Sequence, residues 1–386
     1  FRMRINMRQI VGNLVLIIMI VAMFACSENI ADHSIPNSQL APKPNPIEFD
    51  TPGPWINSEP FVLKDKRNEV VLIDFWTYSC VNCIRTLPHL SEWHRKYNEK
   101  GLNILGVHSP EFEFEKIYEN VVSAAEDLGI AYPIVLDNDF KIWNTFSNRY
   151  WPAKYLLDKD GVIQFKHFGE GGYEETELAI RALLEEAGFD PSDIPTGLNL
   201  QQSSDSSNIS HREQTLELYM GTDRNYKFNF FQPTYIGNTE YYDNIRTDAW
   251  KKKDIFKSPP NRKKDKVYIE GLWSKEQEYI AHSRDTDAYN DYIFLKFSGA
   301  EVNVVLGKHN NPYKVLATLD GSPLLESEAG KDIYFDPDGK SFIEVDSSRM
   351  YNIVKLKKFD TRELILSSTS SEFSIYSFTF GSDVRE

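Results

Sequence analysis

Two thiols separated by two residues, Cys80-Val81-Asn82-Cys83, are the part of this sequence whose types and spacing carry chemistry. Such a pair exchanges electrons with disulfides: one thiolate attacks, and its neighbour resolves the mixed disulfide. The chain of 386 residues holds three cysteines, the third being Cys26 near the N-terminus. Exported domains stapled by disulfides carry an even set at long spacing, and a bridge across so short a loop removes little chain entropy. The pair is therefore read as reactive. Zinc is the competing use, because His89 and His94 follow. Two histidines five positions apart on a helix point about 140° away from each other and cannot converge on one metal with both sulfurs. No metal site is assigned.

The elements that must position the pair come next. Val70 to Trp76 is a short, continuously apolar, β-branched run interrupted by Asp74, as suits a strand covered on both faces. Ile84, Leu87, Leu90 and Trp93 then recur at helical spacing. At a helix start the unpaired N–H groups and the dipole stabilise a thiolate. Cys80 is thus expected exposed and attacking, and Cys83, one turn in, shielded and resolving. Leu102 to His108 reads as a second buried strand, and Phe114, Ile117, Tyr118, Val121, Val122, Ala125 and Leu128 as a helical stripe closed by Gly129. Residues 134–136 and 154–157 read as strands, the latter joined by the Asp160-Gly161 turn to 162–168, and 174–187 as a helix. That order argues for a mixed sheet with helices on both faces, an α/β domain over 56–190. His108 and Glu111 follow the second strand, at the sheet end where sites gather. Glu111 is either a group that tunes the thiolate or a solvated loop acid.

The composition, 41% hydrophobic and 26% charged, excludes a disordered chain and a polytopic membrane protein. A net charge of −14 opposes binding to phosphate backbones, so no nucleic-acid partner is expected. The basic cluster from Lys251 to Lys266 reads as a solvated loop. At the N-terminus Arg2, Arg4 and Arg8 precede the apolar run from Ile10 to Phe24. That run falls short of the ~20 residues a spanning helix needs, so residues 1–25 read as an export signal. It ends at Met23-Phe24-Ala25-Cys26, which resembles a bacterial lipobox and makes Cys26 the lipid-carrying residue of a membrane-anchored protein facing the cell envelope. Residues 26–55 read as a Pro-rich tether and 191–212 as a Ser-rich linker. From 213 to 386 short alternating strands with turns such as Asp320-Gly321 indicate an all-β sandwich or jelly roll.

The segment from Asp74 to Pro88 resembles the active-site segment of thioredoxins and looks most like the TlpA/DipZ-like branch of exported members. The resemblance places a buried acid at Asp74, six residues before the first Cys, and a helix-bending proline at Pro88, five after the second. It makes Trp151-Pro152 the site of a cis-proline opposite the pair. Pro152 would then keep its loop across the disulfide, where the Trp151 backbone pairs with a substrate strand and Trp76 is a further substrate contact. An acid inside an apolar strand should have a raised pKa, and Asp74 is expected to pass a proton to and from Cys83 through water. The segments 218–221, 271–273, 319–321 and 378–381 resemble the β-rich C-terminal domain of DipZ-like proteins, which is similar in fold to carbohydrate-binding modules. DipZ proteins begin with a polytopic electron-transfer domain where this chain has a signal. The resemblance therefore implies a separate membrane electron donor of the CcdA/DsbD type. It also implies a disulfide-containing protein substrate and a glycan or protein ligand on the second domain. The redox-active Cys80–Cys83 disulfide is the only cofactor expected.

These features together describe an exported thiol–disulfide oxidoreductase that reduces protein disulfides in the cell envelope. Two alternatives stay open. Thr77, three residues before Cys80, matches the T-x-x-C pattern of thiol peroxidases, although Ile73 stands where that pattern has proline. A glycan-binding or scaffold protein with vestigial thiols is the other.

Overall fold

The computed structural model describes residues 45–49, 53–197, 214–224 and 253–382. Cys26, the export signal and most of the tether and of the Ser-rich linker lie outside the described residues.

The first half is an α/β sheet of six strands. In chain order these are β1 (Trp55–Ile56), β2 (Val70–Trp76), β3 (Leu102–His108), β4 (Ile134–Leu136), β5 (Ala153–Leu157) and β6 (Ile163–Phe168). Four helices accompany them: α1 (Val81–Tyr97), α2 (Tyr118–Asp127), α3 (Lys141–Thr145) and α4 (Tyr173–Glu186). The strands lie in the order β1-β4-β3-β2-β5-β6. β2 runs parallel to β3 and antiparallel to β5, so it is central, and all seven of its residues are buried. The pleat divides them. Val70, Leu72 and Trp76 face a core shared with α1 and α4, whereas Val71, Ile73 and Phe75 face one shared with α3. This is a thioredoxin-like α/β domain.

The packed part begins before residue 56. Phe49 and Trp55 are buried against the α3 side, and the Ile47 N–H donates to the Gly161 carbonyl at 3.0 Å. The helical stripe is also shorter than its apolar pattern. Ile117 takes an extended backbone (ψ 117°), so α2 starts at Tyr118, and Phe114 sits in a separate 3-10 turn, Glu113–Lys116.

The second half is an antiparallel β-sandwich. Its strands are β7 (Leu218–Tyr219), β8 (Lys253–Phe256), β9 (Val267–Lys275), β10 (Ile280–His282), β11 (Tyr292–Gly307) and β12 (Tyr313–Leu319), then β13 (Ser322–Pro323), β14 (Tyr334–Phe335), β15 (Ser341–Val345), β16 (Arg349–Ser367) and β17 (Ser374–Gly381). β11 and β16, of 16 and 19 residues, are far longer than the alternating pattern suggests. Register shifts near Gly299 and Val302 bend β11, which pairs with β9 over Tyr292–Leu295 and with β17 over Glu301–Gly307. Bulges that redirect a strand in this way let one hydrogen-bonded sheet fold into two packed layers. The layers enclose an apolar core that includes Trp273, Phe297, Val304, Phe373 and Phe378. From Pro46 onward the chain is one compact unit. Tyr219, Val305 and Tyr376 of the sandwich join the core of the α/β half.

Candidate active site

Cys80 is the N-cap of α1, with an extended backbone (φ −82°, ψ 113°), and its sulfur accepts a hydrogen bond from the Cys83 N–H at 3.3 Å. Cys80 is partly exposed and Cys83 is 1% exposed; both thiols are free. Burial, and then the proximity of Cys80, push the Cys83 thiol well above its ordinary range. The two sulfurs therefore differ in access and setting.

Behind them Asp74 lies on the same face of β2 as Leu72 and Trp76, toward α1. It is 1% exposed, and neither carboxylate oxygen has a hydrogen-bond partner. Its direct neighbour across the antiparallel ladder is Lys154, also fully buried. Burial pushes the Asp74 pKa up to about 7, against the pull of the Lys154 cation. Burial likewise lowers the Lys154 pKa, against the pull of Asp74. An acid that titrates near neutrality beside a buried thiol is suited to exchange its proton.

The Trp151–Pro152 peptide is cis. The Trp151 indole N–H donates to the Ser109 carbonyl at 3.0 Å, which fixes the ring at the head of the loop. Cys80, Trp151 and Glu111 all open on a cleft of about 1010 Å³ whose far wall is formed by the sandwich, including Leu216, Tyr219 and Phe380. Glu111 is not a solvated loop acid. Its carboxylate accepts from Tyr219 Oη at 2.6 Å and from Arg224 at 2.5 Å.

Other expected residues lie away from the cleft. Trp76 was expected to meet substrate; it is 0% exposed, its ring edge-on to His108, because the pleat of β2 turns it into the core. Thr77 is buried, with Oγ1 3.4 Å from His108 Nε2. Burial pushes the His108 pKa down to about 3, so its imidazole is neutral. His89 stacks on Tyr173 and His94 meets Tyr132 edge-on. Among the described residues no group of three or more His, Cys, Asp or Glu is arranged to hold a metal.

Three groups escaped the reading of the sequence. Lys154 carried a signal, a cation inside the apolar run of β5. Arg85 pairs with Glu301 of the sandwich at 2.5 Å and with Glu170 at 3.6 Å. Glu115, buried in the 3-10 turn, reaches the Ser79 that precedes Cys80. No periodicity marks either of the last two, whose partners lie far along the chain.

A cysteine pair at the N-terminus of α1, beneath a cis-proline loop on a mixed sheet, defines the thioredoxin-like class. The AhpC/TSA family model matches residues 47–166, and the model described as the thioredoxin like C-terminal domain matches 215–381. Protein DipZ of Mycobacterium tuberculosis is 35% identical over 259 residues, which are 66% of this chain and 34% of that protein. The chain thus spans about a third of the length of the DipZ relatives it matches. The thiol-disulfide oxidoreductase YkuV of Bacillus subtilis is 34% identical over 118 residues, covering 31% of this chain and 78% of that one. ResA of Bacillus cereus, also a thiol-disulfide oxidoreductase, is 31% identical over 134 residues, 35% of this chain and 72% of that one. The chain belongs to the TlpA/DipZ-like thiol–disulfide oxidoreductase family.

Proposed function

We propose that this protein reduces protein disulfides in the cell envelope through Cys80 and Cys83, carried on a lipid anchor at Cys26. The observation that carries the reading is the asymmetry of the pair: a cleft-facing sulfur at the helix N-cap over a buried one. Cys80 thiolate attacks a substrate disulfide, forming a mixed disulfide and releasing the first substrate thiolate. Cys83 gives its proton to Asp74 and attacks the Cys80 sulfur. The second substrate thiolate leaves, two electrons have passed to the substrate, and the Cys80–Cys83 disulfide remains. A membrane dithiol donor of the CcdA/DsbD type reverses these steps to restore the pair. Pro152 and the Trp151 backbone hold the substrate strand against Cys80, Glu111 lines its approach, and a glycan or protein ligand on the sandwich would bring substrates to the cleft.

Insulin reduction by the dithiol-charged chain, compared with its peroxide turnover, tests this reading. Disulfide reduction should be the faster by at least about tenfold, and peroxide turnover of equal rate would favour the peroxidase. For the anchor, Cys26→Ser should abolish incorporation of labelled fatty acid; unchanged labelling removes that part of the proposal.

A further inference from the structure

Glu115 is fully buried, and its carboxylate accepts hydrogen bonds from two separate segments of the chain. Oε2 takes the Glu111 and Phe112 N–H groups at 2.5 and 2.9 Å. Oε1 takes the Ser79 N–H at 3.3 Å and the Ser79 hydroxyl at 2.5 Å. A carboxylate that only closed its own turn would use the first pair. The second pair leaves the turn and grips the residue before Cys80, 36 positions back in the chain. Burying a carboxylate costs several kcal/mol unless donors surround it, and here the loop that presents the attacking sulfur supplies donors from Ser79.

The turn is in turn held from the sandwich. Phe112 and Phe114 meet the Tyr376 ring at centroid distances of 5.1 and 4.9 Å. The Glu113 N–H donates to the Glu278 carboxylate at 3.0 Å, and Glu111 is fixed by Tyr219 and Arg224. Tyr78, on the same loop as Ser79, donates from Oη to the Ser348 carbonyl at 3.3 Å.

We propose that Glu115 is a positioning residue for Cys80 and that the β-sandwich, by holding the turn that carries Glu115, completes the active site. The inference rests on the reading of Cys80 as the attacking thiol. Ser79 ends the turn in which the Cys80 N–H bonds the Thr77 carbonyl at 3.3 Å. Holding Ser79 therefore fixes the N-cap geometry that aims the sulfur into the cleft. Arg224 holds the Glu111 carboxylate, and Glu115 accepts from the Glu111 N–H, so part of the influence of Arg224 on Cys80 should run through Glu115.

The test uses the full chain, reduced, and reads the rate of Cys80 alkylation by iodoacetamide at neutral pH beside kcat, KM and the thermal midpoint. Glu115→Gln presents an N–H₂ group to one pair of donors and should slow alkylation and kcat by about tenfold or more, with KM little changed. Arg224→Ala, a change at a partly exposed side chain, should slow alkylation by roughly threefold, and it reads the same line if the Gln variant fails to fold. In the Glu115→Gln background the Arg224→Ala effect should shrink, because coupled residues are not additive. A folded Glu115→Gln chain alkylated at the wild-type rate would overturn the proposal. So would an Arg224→Ala effect that is absent, or that is equal in both backgrounds. Failure of the wild-type chain to reduce any disulfide would remove the proposed function, while the alkylation rates would still decide the role of Glu115.

Discussion

At Asp74 two forces compete. Burial disfavours the carboxylate, and the Lys154 cation across the ladder favours it; burial wins, and the group titrates at about 7 instead of its ordinary 3.8. Between those values the folded chain holds a proton that the unfolded chain has lost, so stability falls as pH rises through the window. The contribution is fully present below about pH 4 and is lost above about 7, an effect on the order of 4 kcal/mol. Glu115, pushed up to about 7 by burial and by the Glu111 charge, acts in the same sense and steepens the wild-type curve. Asp74→Asn carries no charge at any pH. Its denaturation midpoint should therefore gain on the wild type as pH rises from about 4 to above 7, and two parallel curves would contradict this account. The same variant should slow release of the reduced substrate, which needs the Cys83 thiolate, more than the first attack by Cys80.

At the scale of elements, what could be read from the sequence was what local pattern encodes. β2 is a continuous apolar run and α1 a 3.6-residue stripe, and both lie where those patterns put them, with Cys80 at their junction. Phe114 misled because an apolar residue does not say which surface covers it. It counted toward a helical stripe, whereas its ring packs on Tyr376, far along the chain. Trp76 misled in another way: the resemblance made it a substrate contact, but alternation along β2 sends it inward. Lys154 was legible as part of a strand. That it faces Asp74 depends on the register of β2 against β5, which neither segment contains alone. Long β11 looked like shorter strands because its bulges break the alternation near Gly299.

For the whole molecule, the two halves share a core and a cleft. Tyr219, Val305 and Tyr376 pack with the α/β half, Arg85 and Glu301 pair across the boundary, and Cys80 faces a wall built by the sandwich. On the proposed function a substrate would enter between the halves to reach the exposed sulfur and would form a covalent complex there. The most direct measurement traps that complex in cells producing the full chain with either cysteine changed to serine, followed by non-reducing separation and mass spectrometry. Cys83→Ser should accumulate reductant-sensitive adducts on Cys80, because attack proceeds and resolution is lost. Cys80→Ser should accumulate none. Adducts on Cys80→Ser instead, or none on either folded variant, would contradict the assignment of Cys80 as the attacking thiol.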